Sequence, residues 1–182
     1  MKRGERGFTL IELLVVMAIV ALIAGAATMS IFQVINVTRS TNDHMTAIRQ
    51  AQNAGYWISR DALMAEHMIV GADPETTFFL KLTWTEWGFG GGSIYHSVTY
   101  SLQDLSGGIG KLERQHLIYD AVGEEIGNTT TFVAEYIYYN SDDLDNTTMV
   151  DYTNLVLTAQ ITASFGEATE TKEYTVWPRP NF

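Results

Sequence analysis

One acidic side chain stands where a charge is expensive. Glu12 is the single ionisable residue between positions 8 and 32 of the 182-residue chain, inside FTLIELLVVMAIVALIAGAATMSIF. A carboxylate in apolar surroundings costs on the order of 3 kcal/mol on insertion scales and is tolerated when a cation meets it. The chemistry expected of Glu12 is therefore charge pairing. A second acidic set, Asp142, Asp143 and Asp145 in SDDLDNTT, offers hard oxygens of the kind that hold calcium. An EF-hand counted from Asp143 would need Gly and Glu where Thr148 and Asn154 stand, so these carboxylates are weak metal candidates and a solvated turn is the default.

Other residues that could do chemistry lack the required context. His44, His67, His96 and His116 have no helical metal spacing, and neither H-E-x-x-H nor G-x-S-x-G occurs. SGGIGKL lacks the Walker spacing, has Leu112 where Ser or Thr belongs, and precedes a strand-like segment, so it reads as a turn. With no cysteine there is no disulfide or thiolate site. An enzyme is not expected, and no cofactor is implied beyond calcium as a weak candidate.

The elements that position Glu12 follow from length and charge. Residues 8 to 32 form roughly 37 Å of helix at ~1.5 Å per residue, enough to cross a hydrocarbon core of about 30 Å. Lys2, Arg3 and Arg6 against Glu5 leave residues 1 to 7 at +2 and the rest of the chain at −12. That asymmetry places the start of the helix in the cytoplasm and the remainder outside. A net charge of −10 argues against direct nucleic-acid binding. A cleaved secretory signal fits poorly, because the apolar run continues past Ala24-Gly25-Ala26 and contains an acid.

Beyond residue 32 the pattern becomes one-sided. Val34, Val37, Thr41, Ile48, Ala51, Gly55, Ile58, Ala62 and Ala65 follow a 3-4 spacing, so residues 33 to 66 are expected to continue as an amphipathic helix packing on the domain. Residues 67 to 182 read as a β-rich globular domain. Segments 76 to 84, 93 to 102, 110 to 119, 130 to 140, 154 to 165 and 171 to 178 are rich in β-branched and aromatic residues. Turn signals at 88 to 92, Gly107-Gly108, 140 to 146 and Gly166-Glu167 separate them. The expected fold class is α+β: a long N-terminal helix, transmembrane then amphipathic, on an antiparallel sheet.

Gly7-Phe8-Thr9-Leu10-Ile11-Glu12-Leu13-Leu14-Val15-Val16, behind a short basic leader, resembles the N-terminus of type IV prepilins and type II secretion pseudopilin precursors. The resemblance implies a leader of residues 1 to 7, cleavage after Gly7 by prepilin peptidase, N-methylation of Phe8, and a pilin-like fold. It also implies that Glu12 is an assembly charge, since cutting creates an α-amine on Phe8, four residues away. In the family that amine comes from a neighbouring subunit; a pair within one chain is the alternative.

The later segments resemble minor subunits, the pilus W type and the J-type minor pseudopilins. Val98, Tyr100, Leu102, Leu112 and Arg114 match a V-x-Y-x-L … L-x-R hairpin, and Val133, Ile137 and Tyr138 or Tyr139 match a later strand. The partners implied are prepilin peptidase, other pilins or pseudopilins, an inner-membrane assembly platform and, before assembly, membrane lipid. The competing expectation is a stand-alone membrane-anchored extracytoplasmic binding domain, an adhesin or sensor.

Overall fold

The computed structural model describes residues 9–73, 78–88, 92–143 and 145–178. The fold is α+β, with one long N-terminal apolar helix and an antiparallel, curled sheet. Helix α1 spans Leu10–Met64, and contacts divide the chain into two compact units, Met1–Asn42 and Asp43–Phe182.

In the first unit α1 is exposed from Leu10 to Val37, carries Glu12 as its single charge there, and is long and apolar enough to cross a membrane. Two of its hydroxyls are satisfied within the helix. Thr28 Oγ1 donates to the Ala24 carbonyl at 2.8 Å and Ser30 Oγ to that of Ala26 at 3.0 Å, leaving no polar group of these side chains to face lipid.

In the second unit α1 carries a stripe of small residues, Ala47, Ala51, Ala54, Gly55, Ile58 and Ala62, all buried. The stripe differs by one position from the sequence pattern: Ala47 is buried and Ile48 only partly so. Small side chains let backbone and sheet approach closely, so the closest contacts fall on alanines and glycine. The strands are β1 His67–Asp73, β2 Phe78–Trp87, β3 Ser93–Ser106, β4 Ile109–Tyr119, β5 Glu125–Tyr138, β6 Met149–Thr153, β7 Val156–Phe165 and β8 Ala168–Val176. Sequence patterning missed β1 and β6, which are short and mostly exposed; residues 76 and 77 lie outside the described residues.

Every pairing is antiparallel, in the order β1-β2-β3-β4-β5-β7-β6, with β8 on the other side of β7. The edge of β7 opposite β8 is shared: β6 takes residues 156 to 160, and β5 meets it at Ile137↔Ala163. Where the two neighbours change over, Thr148 Oγ1 accepts from the Thr162 N–H at 3.0 Å and donates to its carbonyl at 3.1 Å. A side chain thus replaces a missing ladder partner. The sheet curls until β1 approaches β6.

The β3–β4 hairpin sets the register that matters most. Its turn is Gly107-Gly108, both at positive φ (60° and 80°), as two-residue hairpin turns require. Between Gln103 and Ser106 the register shifts by one residue, with Asp104 at φ 55°. Without that bulge the turn would pair Tyr100 with Gln115; with it, Tyr100 pairs with Arg114 on one face.

The β6–β7 turn is less well matched to its residues. Asn154 and Leu155 both sit at positive φ (55° and 63°), and Leu155 is exposed. A non-glycine residue there costs roughly 1–2 kcal/mol, so Leu155→Gly is expected to stabilise the chain by about 1 kcal/mol. Urea unfolding reads this as a higher midpoint at unchanged slope; an unchanged or lower midpoint would contradict it.

Candidate functional site

Glu12 lies in the first turn of α1. The Thr9 N–H and the Thr9 hydroxyl both donate to Glu12 Oε2 at 2.9 Å, and the Glu12 N–H donates to Thr9 Oγ1 at 3.3 Å. This is a reciprocal capping box, whose S/T-x-x-E spacing is visible in Thr9-Leu10-Ile11-Glu12 and was passed over by the charge-pairing expectation. A carboxylate at a helix start also meets the positive end of the backbone dipole. The charge is therefore tied to backbone donors at the mouth of the helix. Gly7 and Phe8, the expected processing junction, lie outside the described residues.

The second unit holds a buried polar group that the sequence pattern did not single out. Asp61 is 4% exposed on the packed face of α1. Arg114 reaches it from β4 with two bonds, Nε to Oδ2 at 2.6 Å and Nη2 to Oδ1 at 3.0 Å, and Tyr100 Oη donates to Oδ2 at 2.6 Å from β3. The fork of the guanidinium matches both carboxylate oxygens. Burial and then the neighbouring Asp61 carboxylate push the Tyr100 hydroxyl far above its ordinary range, so it stays protonated and keeps its proton on the bond to Asp61. Burial opposes the charge on Arg114, but the bonded Asp61 outweighs it and raises the guanidinium above its usual value. Tyr100 and Arg114 are two of the residues singled out in the hairpin motif; Asp61 was missed because nothing local marks a lone acid in an amphipathic helix.

Beside this group opens a cleft of about 1050 Å³ between the last four turns of α1 and the face of β2, β3 and β4. The Trp57 indole lies 5.0 Å from the Arg114 guanidinium and 5.3 Å from that of Arg60. On the opposite wall Trp84 stacks on His96 with ring centroids 4.9 Å apart and planes 6° from parallel. His96 Nδ1 and His116 Nε2 share a hydrogen bond at 3.0 Å. Burial, then the Arg114 guanidinium and the adjoining His96 ring, hold the His116 imidazole below its ordinary pKa. The two histidines are twenty residues apart and meet as diagonal neighbours across β3 and β4, a pairing that only the register reveals.

The acidic turn is organised by its own side chains. Asn140 Oδ1 accepts from the Asp142 N–H at 2.9 Å, the Asn146 amide donates to Asp143 at 3.3 Å, and the Asp145 carbonyl accepts from Gln160 at 3.0 Å. Asp142 and Asp145 are exposed. Among the described residues no group of three or more His, Cys, Asp or Glu side chains is arranged to hold a metal ion.

Comparison with known families adds one finding. Residues 2–28 match the prokaryotic N-terminal methylation motif. The match covers the N-terminal segment alone, and it supports a structural subunit of the type IV pilin or pseudopilin class, processed by prepilin peptidase and assembled with other pilins. Together with the apolar helix it supports membrane anchoring and a pilus location. No curated protein and no solved structure matches the chain.

Proposed function

We propose that the chain is a minor pilin or pseudopilin made with a seven-residue leader. It inserts with its globular unit outside, is cut after Gly7, is methylated on Phe8 and joins a type IV pilus or type II secretion pseudopilus at or near the tip. The observation that carries this reading is the methylation motif over residues 2–28, with Glu12 inside an otherwise apolar segment. Cleavage would place a new amine on Phe8, next to the Thr9 N–H that Glu12 already accepts from. The carboxylate is thus held at the end of the helix where that amine would appear, whichever subunit supplies it.

The expected outcome is a mature chain beginning at methylated Phe8, read by mass spectrometry. Gly7 replaced by a bulky residue should leave the leader in place. Glu12→Val should allow cleavage but reduce incorporation into filaments at least tenfold, read by quantifying the subunit in sheared filaments. A wild-type chain that keeps residues 1 to 7 would favour the stand-alone anchored binding domain and reject the subunit reading.

A further inference from the structure

We propose that the cleft beside Asp61 and Arg114 receives an extended segment of a neighbouring subunit, one that presents an aromatic side chain next to a carboxylate. Its source rests on the subunit reading above; its chemistry rests on the cleft alone.

The His96 side chain is only 10% exposed, yet its Nε2 has no hydrogen-bond partner. Glu86 Oε2 lies 3.3 Å away but out of line for a bond. A buried polar atom left unmatched is destabilising, a penalty that an arriving acceptor would remove. With Nδ1 bonded to His116 and a carboxylate beside Nε2, the proton is best placed on Nε2. His96 then holds an N–H donor at the cleft wall, beside the exposed Glu86 carboxylate, and an acceptor oxygen arriving there would take the place of Glu86.

Arg60 narrows the acceptor to an anion. Its guanidinium contacts the Trp57 ring and takes part in no ion pair among the described residues. The neighbouring Asp61 is engaged by Arg114 and Tyr100 and makes no ion pair with Arg60. Two indoles, Trp57 and Trp84, with Tyr56 and Met64, supply flat apolar walls. Tryptophan, tyrosine, methionine and arginine are the residue types enriched where proteins bind proteins.

The size and openness of the cleft favour a segment over a free small molecule. Sites for small ligands run to roughly 300–1,000 Å³ and enclose most of the ligand surface. This cleft is at the top of that range and lies open to solvent. A segment tethered to a larger body does not need enclosure.

The test uses the full chain in detergent micelles, titrated with the capped dipeptide N-acetyl-Trp-Glu-amide and followed through the histidine side-chain NMR signals. Saturable binding that shifts the signals of His96 and His116 is expected, with affinity at least tenfold lower for N-acetyl-Trp-Lys-amide. His96→Phe should weaken binding at least tenfold; Arg60→Gln, at an exposed position, should do the same without touching the core. No saturable binding, equal affinity for the lysine peptide, or unchanged affinity in Arg60→Gln would overturn the proposal. Indole-3-acetate binding as tightly as the dipeptide would also overturn it, by making the cleft a small-molecule site. A cut N-terminus without dipeptide binding refutes the cleft alone, whereas a retained leader with dipeptide binding refutes the subunit reading alone.

Discussion

Arg114→Met is expected to destabilise the chain by about 3–5 kcal/mol, the usual cost of leaving one member of a buried ion pair uncompensated. The loss arises at Asp61, which is 4% exposed and would keep only the Tyr100 hydroxyl as a partner. Removing that hydroxyl alone, in Tyr100→Phe, deletes one bond to a charged acceptor and should cost less, about 1.5–3 kcal/mol. The distinguishing result is the double variant Asp61→Leu/Arg114→Met, which removes both charges and should recover most of the loss. Urea midpoints would report all three. A cost below about 1 kcal/mol for Arg114→Met would mean that water replaces the guanidinium, contrary to the 8% exposure of Arg114.

Gly55→Ala should also destabilise, by about 1–3 kcal/mol, although glycine inside a helix is ordinarily worse than alanine by about 1 kcal/mol. A Cβ at position 55 would overlap the ring of Tyr174, whose hydroxyl donates to the Ala51 carbonyl at 3.3 Å. The glycine is there for the ring. Combining Gly55→Ala with Tyr174→Leu should therefore reverse the sign, the alanine now being tolerated or favourable. If Gly55→Ala alone raises the urea midpoint, the ring moves aside freely and the close packing of β8 on α1 is not what requires glycine.

These two sites show what the sequence could and could not reveal. The membrane-length helix, the strand-rich remainder and the Gly107-Gly108 turn follow from local periodicity and turn chemistry. Tyr100 and Arg114 could be assigned to one hairpin through the resemblance to the V-x-Y-x-L … L-x-R pattern. Asp61 could not be joined to them from spacing alone. Its partners lie 39 and 53 residues away, and Arg114 reaches the face of Tyr100 only because the bulge at Asp104 inserts one residue ahead of the turn. The His96–His116 contact was hidden for the same reason. Gly55 was legible as a member of the packing stripe, but its real constraint, the Tyr174 ring, is set by a strand more than a hundred residues later. The Thr9–Glu12 box, by contrast, is wholly local and was available from four residues.

That last strand also imposes an order in time. Glu170 meets His44 at 2.8 Å and Tyr174 meets Ala51, contacts that span 126 and 123 residues of chain. At synthesis rates of about 5–20 residues per second, the alanine face of α1 waits roughly 6 to 25 seconds before β8 can cover it. Throughout that interval the nascent chain carries an uncovered apolar stripe, so its safe maturation depends on what shields the stripe as much as on the stability of the finished fold.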